Sequence, residues 1–220
     1  MSLKLVFYSG GQTAKNHRVH SALADLIPVS GKRGRSLTYF PYHSESADYF
    51  FKRAQKRYRP FGFKQFQCMA IDQPLKPAQI ESAFESDVIY LAGGNTFYFL
   101  HQLQQSGLMP RLRKYARSGG VLAGLSAGAL IMTPTIGLAG YPKFDADVNE
   151  VVLKKLQALN LVPFEFYPHY ENRKRVNVAM NRYARRTQRD VYGVEDGSGI
   201  VVHGRSFETL GNVFLFSRKG

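Results

Sequence analysis

The sequence predicts an α/β fold: one three-layer domain over 1–220, with a mostly parallel sheet covered by helices on both faces. Three observations carry this. Short apolar runs alternate with segments of helical spacing, the runs end in glycine-containing turns, and the 220 residues are enough for a single core. A chain of that length buries roughly 70% of its unfolded surface. The hydrophobic fraction of 44%, with 16 Phe and 13 Tyr, is that of a packed chain.

Leu3 to Tyr8 is an apolar run that ends at Ser9-Gly10-Gly11 and reads as a first buried strand. Ser36 to Tyr42 reads as a second, after a loop at Gly31 to Arg35. Ala47 to Tyr58 has helical spacing, Phe66 to Ile71 reads as a core strand, and Pro77 to Glu85 as a helix with proline in its first turn. Val88 to Ala92 has the strongest strand composition and stops at Gly93-Gly94-Asn95-Thr96, before a helix from Phe97 to about Gln105. A helix over Pro110 to Arg117 leads to a strand at Val121 to Gly124 and a further helix at Ala127 to Met132. The final third reads as a helix at Asn149 to Ala158, a strand at Val162 to Tyr167 and a helix at Asn172 to Arg186. Strands then follow at Val191 to Val194, Gly199 to Val202 and Val213 to Phe216, as edges or a hairpin. In such sheets sites form where strands end at their carboxyl side.

Composition narrows the class. No stretch approaches the roughly 18 apolar residues of a membrane span, and the opening apolar run is too short for a signal peptide, so a soluble cytoplasmic protein is expected. The single cysteine, Cys68, permits no internal disulfide and reads as a small buried hydrophobe. The 30 Lys and Arg against 16 Asp and Glu give a net charge of +14, which would draw acidic substrates, nucleic acid or other anions. The positive charge is concentrated in Phe50 to Lys64 and Asn172 to Arg189, both without an acid.

Gly124-Leu125-Ser126-Ala127-Gly128 satisfies G-x-S-x-G where a strand is expected to turn into a helix. A serine there is exposed on a tight elbow that needs small neighbours, and the Ala127 N–H points with the helix N-terminus to where an oxyanion would form. Gly94 ends another strand and offers a second N–H, glycine being needed to leave room for substrate; an ordinary turn capped by Thr96 fits the local sequence equally. A serine nucleophile needs a base. Of His17, His20, His43, His101, His169 and His203, His169 stands just past a strand end. Glu195 and Asp196 follow another strand and are the carboxylate candidates, with Asp145 and Asp147 as outsiders. The order Ser, His, acid differs from that of α/β-hydrolases.

Taken together, Val88 to Phe97 with its GGNT turn and Gly124 to Ala129 with its GLSAGA elbow resemble the dipeptidase E and cyanophycinase family of serine peptidases. Pro168 to Arg175 is similar to that family's histidine segment, followed by an aromatic and then arginines. Asp196-Gly197-Ser198-Gly199-Ile200 is similar to its acid segment, with Asp196 where dipeptidase E has Glu and Glu195 as the alternative acid. The resemblance implies a class I glutamine amidotransferase-like, flavodoxin-like fold. It also implies a Ser126-His169-Asp196 mechanism with the Gly94 and Ala127 N–H groups as oxyanion hole, and neither metal nor cofactor.

Dipeptidase E cleaves dipeptides with N-terminal Asp, so the resemblance implies a small acidic peptide as substrate, with Asn95, Arg173 and Arg175 as substrate-binding residues. A homodimer is left open. The competing reading keeps the fold without catalysis, as a domain binding nucleic acid or another anion through its basic helices.

Overall fold

The computed structural model describes residues 2–11, 14–28 and 34–219. Lys4–Tyr8 (β1), Arg35–Phe40 (β2), Phe63–Cys68 (β3), Val88–Leu91 (β4) and Val121–Leu125 (β5) pair in parallel, in the order β3-β2-β4-β5-β1. Gly199–His203 (β8) and Ser206–Leu210 (β9) extend that sheet antiparallel beyond β1, making it seven-stranded. Glu165–Tyr167 (β6), Val191–Val194 (β7) and Val213–Phe216 (β10) form a second, three-stranded sheet in the order β10-β7-β6.

Side chains alternate along each strand, so β1 sends Leu5 and Phe7 into one core and Val6 and Tyr8 into the other. The first core is closed by Pro77–Phe84 (α3), Thr96–Gln105 (α4), Met109–Arg117 (α5), Ala127–Met132 (α6) and Lys174–Thr187 (α7). The second is closed by His17–Asp25 (α1) and Ala47–Tyr58 (α2). Burial on both faces explains why β4 and β5 read as unbroken apolar runs. This is the expected α/β arrangement, mostly parallel with helices on both faces. None of the described helices is long and apolar enough to cross a membrane.

Several segments depart from the sequence expectation. The region 149–158 is not helical: Val152 has a left-handed φ of 49°. The Asn149 side chain accepts from the Leu153 N–H and donates to its carbonyl. The Leu156 carbonyl and the Ala158 N–H bond to Ile136 and Pro134 instead of to a helical ladder. The strand expected at 162–167 shortens to β6, since Pro163 cannot donate to a ladder. The strand expected at 66–71 begins earlier, at Phe63, and runs along the sheet edge, so Cys68 is half-buried and not in the core. Of the late strands, β8 is no edge, lying between β1 and β9, while β7 is the centre of the smaller sheet. Of the loop expected at Gly31 to Arg35, residues 31–33 lie outside the described residues and Arg35 opens β2. Helix α1 and strand β9 were not anticipated.

Candidate active site

Strand β5 lies between β1 and β4, with Tyr8 opposite Leu125 and Leu91 opposite Gly124. Ser126 follows at once with φ 48° and ψ −107°, a backbone that residues other than glycine rarely adopt. Its N–H donates to the Tyr8 carbonyl at 2.9 Å, and its own carbonyl accepts from Ala129 and Leu130, so sheet and helix hold the strained residue from both sides. The small neighbours have a steric cause. A Cβ on Gly128 would come within 2.2 Å of the Leu91 carbonyl oxygen, so helix α6 could not seat against β4.

His169 lies in the loop after β6 and Asp196 in the turn after β7. His169 Nε2 is 2.9 Å from Ser126 Oγ, and His169 Nδ1 is 2.7 Å from Asp196 Oδ1. This is a continuous relay from hydroxyl through imidazole to carboxylate. The His169 and Asp196 side chains are 52% and 51% exposed, so the pair stands open to solvent and to a ligand, and its value lies in orientation more than in Coulomb energy. Glu195 is turned elsewhere, accepting from Asn212 Nδ2 at 2.7 Å.

Other histidines fall away on geometry. His20 is buried among Tyr8, Tyr58 and Phe61, and burial, with the nearby charges of Arg57 and His17, pushes its pKa down to about 3. His43 sits 3.9 Å from Asp72, His101 is on α4, and His203 is exposed at the end of β8. Asp145 accepts from the Tyr167 hydroxyl and Asp147 from the Thr96 N–H.

Gly94 has φ 146°, open to glycine and strained for other residues. A Cβ there would strike the Tyr42 ring at 2.2 Å, so a packed neighbour requires the glycine as well as any substrate would. Neither the Gly94 nor the Ala127 N–H is taken by a backbone carbonyl among the described residues. The cap of α4 is Asn95 and not Thr96: Asn95 Oδ1 accepts from the Tyr98 N–H, and Asn95 Nδ2 donates to the Val148 carbonyl. Both ends of the Asn95 amide therefore have protein partners.

Arg173 pairs with Glu171 at 2.5 Å, both side chains being exposed, and Arg175 lies over the Phe144 ring at 4.5 Å. Neither salt-bridges Glu195 or Asp196.

Two residues that sequence reasoning passed over support this cluster. Ser9, fully buried, donates its hydroxyl to the Val194 carbonyl at 2.7 Å and accepts the His169 N–H at 2.7 Å. Its oxygen is also 3.3 Å from Asp196 Oδ1. Gly10 lies flat against the pair: a Cβ on it would stand 2.3 Å from His169 Cε1 and 2.5 Å from Asp196 Oδ1. The end of β1 is thus the floor on which the relay rests.

The model for peptidase family S51 matches residues 5–210. An uncharacterized peptidase of Listeria monocytogenes is 27% identical over 205 residues, covering 89% of this chain and 98% of the relative. A peptidase E of Nostoc is 24% identical over 235 residues, covering 98% of this chain and 90% of the relative. Among solved structures, a Listeria monocytogenes EGD-e protein described as a peptidase E superposes with a TM-score of 0.72 at 23% identity, over 95% of this chain and 98% of the other. A peptidase from an acI-B1 Actinobacterium gives 0.73 at 14% identity, over 99% and 92%. At those identities the two structures speak to the fold.

Proposed function

Because this chain belongs to peptidase family S51, and is therefore a serine-type peptidase, we propose that it is an exopeptidase acting on small peptides through Ser126, His169 and Asp196, with a preference for N-terminal Asp. The observation that carries this reading is the relay of 2.9 Å and 2.7 Å contacts behind a serine on a strained elbow.

In this mechanism His169 Nε2 takes the Ser126 proton as Oγ attacks the peptide carbonyl. Asp196 accepts the Nδ1–H, fixing the tautomer and stabilising the imidazolium. The Gly94 and Ala127 N–H groups hold the oxyanion; His169 then protonates the leaving amine, and water attacking the acyl-enzyme restores Ser126. No step calls for a metal or cofactor. Arg173 and Arg175 follow His169 closely in the chain and supply the cation for the substrate's acidic side chain. For Arg173 this means exchanging Glu171, an exposed pairing that costs little to break. Asn95 shapes the turn that presents Gly94, and contributes to binding through that turn.

The test is labelling with a fluorophosphonate and turnover of a dipeptide panel containing Asp-Leu, Asn-Leu and Ala-Leu. Wild type should label and cleave Asp-Leu fastest, and Ser126→Ala should do neither. Labelling without any preference for Asp-Leu would remove the specificity and leave the mechanism standing.

A further inference from the structure

The basic run from Phe50 to Lys64 plays no part in the chemistry above. It folds into α2, the turn after it and the start of β3, and three of its cations, Arg53, Lys56 and Arg57, line a cavity of about 590 Å³ together with His17, His20 and Phe61. That volume falls within the few hundred to a thousand Å³ typical of small-molecule sites. None of these residues belongs to the Ser126 cluster.

Two properties suit this cavity to a ligand. Its described lining holds no carboxylate, and none of Arg53, Lys56 or Arg57 forms an ion pair among the described residues, Arg53 donating only to the Tyr49 hydroxyl at 2.9 Å. Three other cavity-facing arginines do have partners: Arg111 pairs with Glu81, Arg189 with Glu165, and Arg113 donates to the Ala158 and Leu159 carbonyls. Arg57 is half-buried beside the buried hydroxyls of Tyr8, Tyr39, Tyr58 and Tyr90, so its charge has lost part of its water without gaining a counter-ion. The second property is a ring wall: Phe61 packs against His17 at 5.2 Å and against His20 at 5.8 Å between centroids.

Clustered guanidinium and ammonium donors fit a phosphate, the guanidinium fork in bidentate fashion. A ring wall beside them fits a flat heterocycle. We propose that this cavity binds a small organic phosphate bearing a planar ring, of the nucleoside monophosphate class, with the phosphate held by Arg53, Lys56 and Arg57 and the ring against Phe61 and His17. The ligand's charge would replace the counter-ion that Arg57 lacks. Binding here is separate from peptide hydrolysis and does not depend on that reading.

The test is calorimetric titration of the full chain with AMP, adenosine and inorganic phosphate. AMP should bind more tightly than either fragment, and the affinity should weaken as salt rises. Arg57→Gln should weaken AMP binding by about tenfold or more, the scale of removing one charge-assisted hydrogen bond. The exposed pair Arg53→Gln/Lys56→Gln should do likewise should Arg57→Gln disturb the fold. Arg182→Gln, which removes the same charge from the exposed face of α7, should leave binding unchanged, and Ser126→Ala should bind as wild type. Equal affinity for AMP and phosphate, an equal loss in Arg182→Gln, or no AMP binding at millimolar concentration would each overturn the proposal.

Discussion

The Ser9 hydroxyl reaches across 160 residues of sequence to accept the His169 N–H at 2.7 Å. His169 needs that support, because its own backbone has a left-handed φ of 54° that favours glycine. Ser9→Ala removes the acceptor and the donor to Val194 together. Turnover of Asp-Leu should fall by about 10- to 100-fold through kcat, with KM little changed, as expected for a group that positions the base without touching substrate. Ser9→Thr keeps the hydroxyl and should recover part of the loss; a purely structural role would lower the melting temperature without this split.

Asp196 and Glu195 are neighbours with separate partners, His169 and Asn212. Asp196→Asn would favour the wrong imidazole tautomer and should lower kcat by about a thousandfold or more. Glu195→Gln should stay within about threefold of wild type, the scale of a surface contact. Steady-state kinetics on the two variants decide between the acids; the reverse ranking would show that Glu195 acts instead.

Gly10 gives the most selective probe of the floor beneath the relay. It is not among the positive-φ glycines, so its backbone accepts alanine, but the new methyl would meet His169 and Asp196 at 2.3 and 2.5 Å. Since both are half-exposed side chains that can swing into solvent, Gly10→Ala should cost about 1 kcal/mol of stability or less and abolish most fluorophosphonate labelling. Thermal melting beside labelling separates the two effects.

Glu165 is 1% exposed, and burial pushes its pKa up to about 7, against the opposing pull of Arg189. The native state therefore binds a proton that the unfolded chain, with an ordinary carboxyl, releases above pH 4.5. Its contribution is fully present below that pH and is lost as pH rises toward 7. Glu165→Gln should flatten the fall in melting temperature between about pH 5 and 8 relative to wild type. A parallel pair of curves would show that Arg189 compensates the buried charge.

Ser126 and Asp196 were legible because each follows a strand that the sequence shows well, whereas for His169 only the end of its strand, at Tyr167, was placed correctly. Val121 to Gly124 and Val191 to Val194 are apolar enough to be read as strands, so Ser126 and Asp196 fall at their ends. Ser9 was not legible: in Ser9-Gly10-Gly11 it reads as a turn residue, and its partners lie far along the chain. Helix α1 was hidden by His20, which occupies a core position among Val19, Leu23 and Ala24 and behaves there as a neutral aromatic. The false helix at 149–158 arose from apolar residues whose backbone partners are in 134–136, a non-local choice that periodicity cannot see.

The proposed relay joins two sheets. Ser126 stands on the seven-stranded one, whereas His169 and Asp196 extend from β6 and β7 of the smaller, and β7 is flanked by β10. During synthesis Ser126, the proposed nucleophile, emerges before His169 and Asp196, and β10, the partner of β7, emerges last of the strands. On the proposed mechanism, a nascent chain that ends before His169 carries Ser126 without its base.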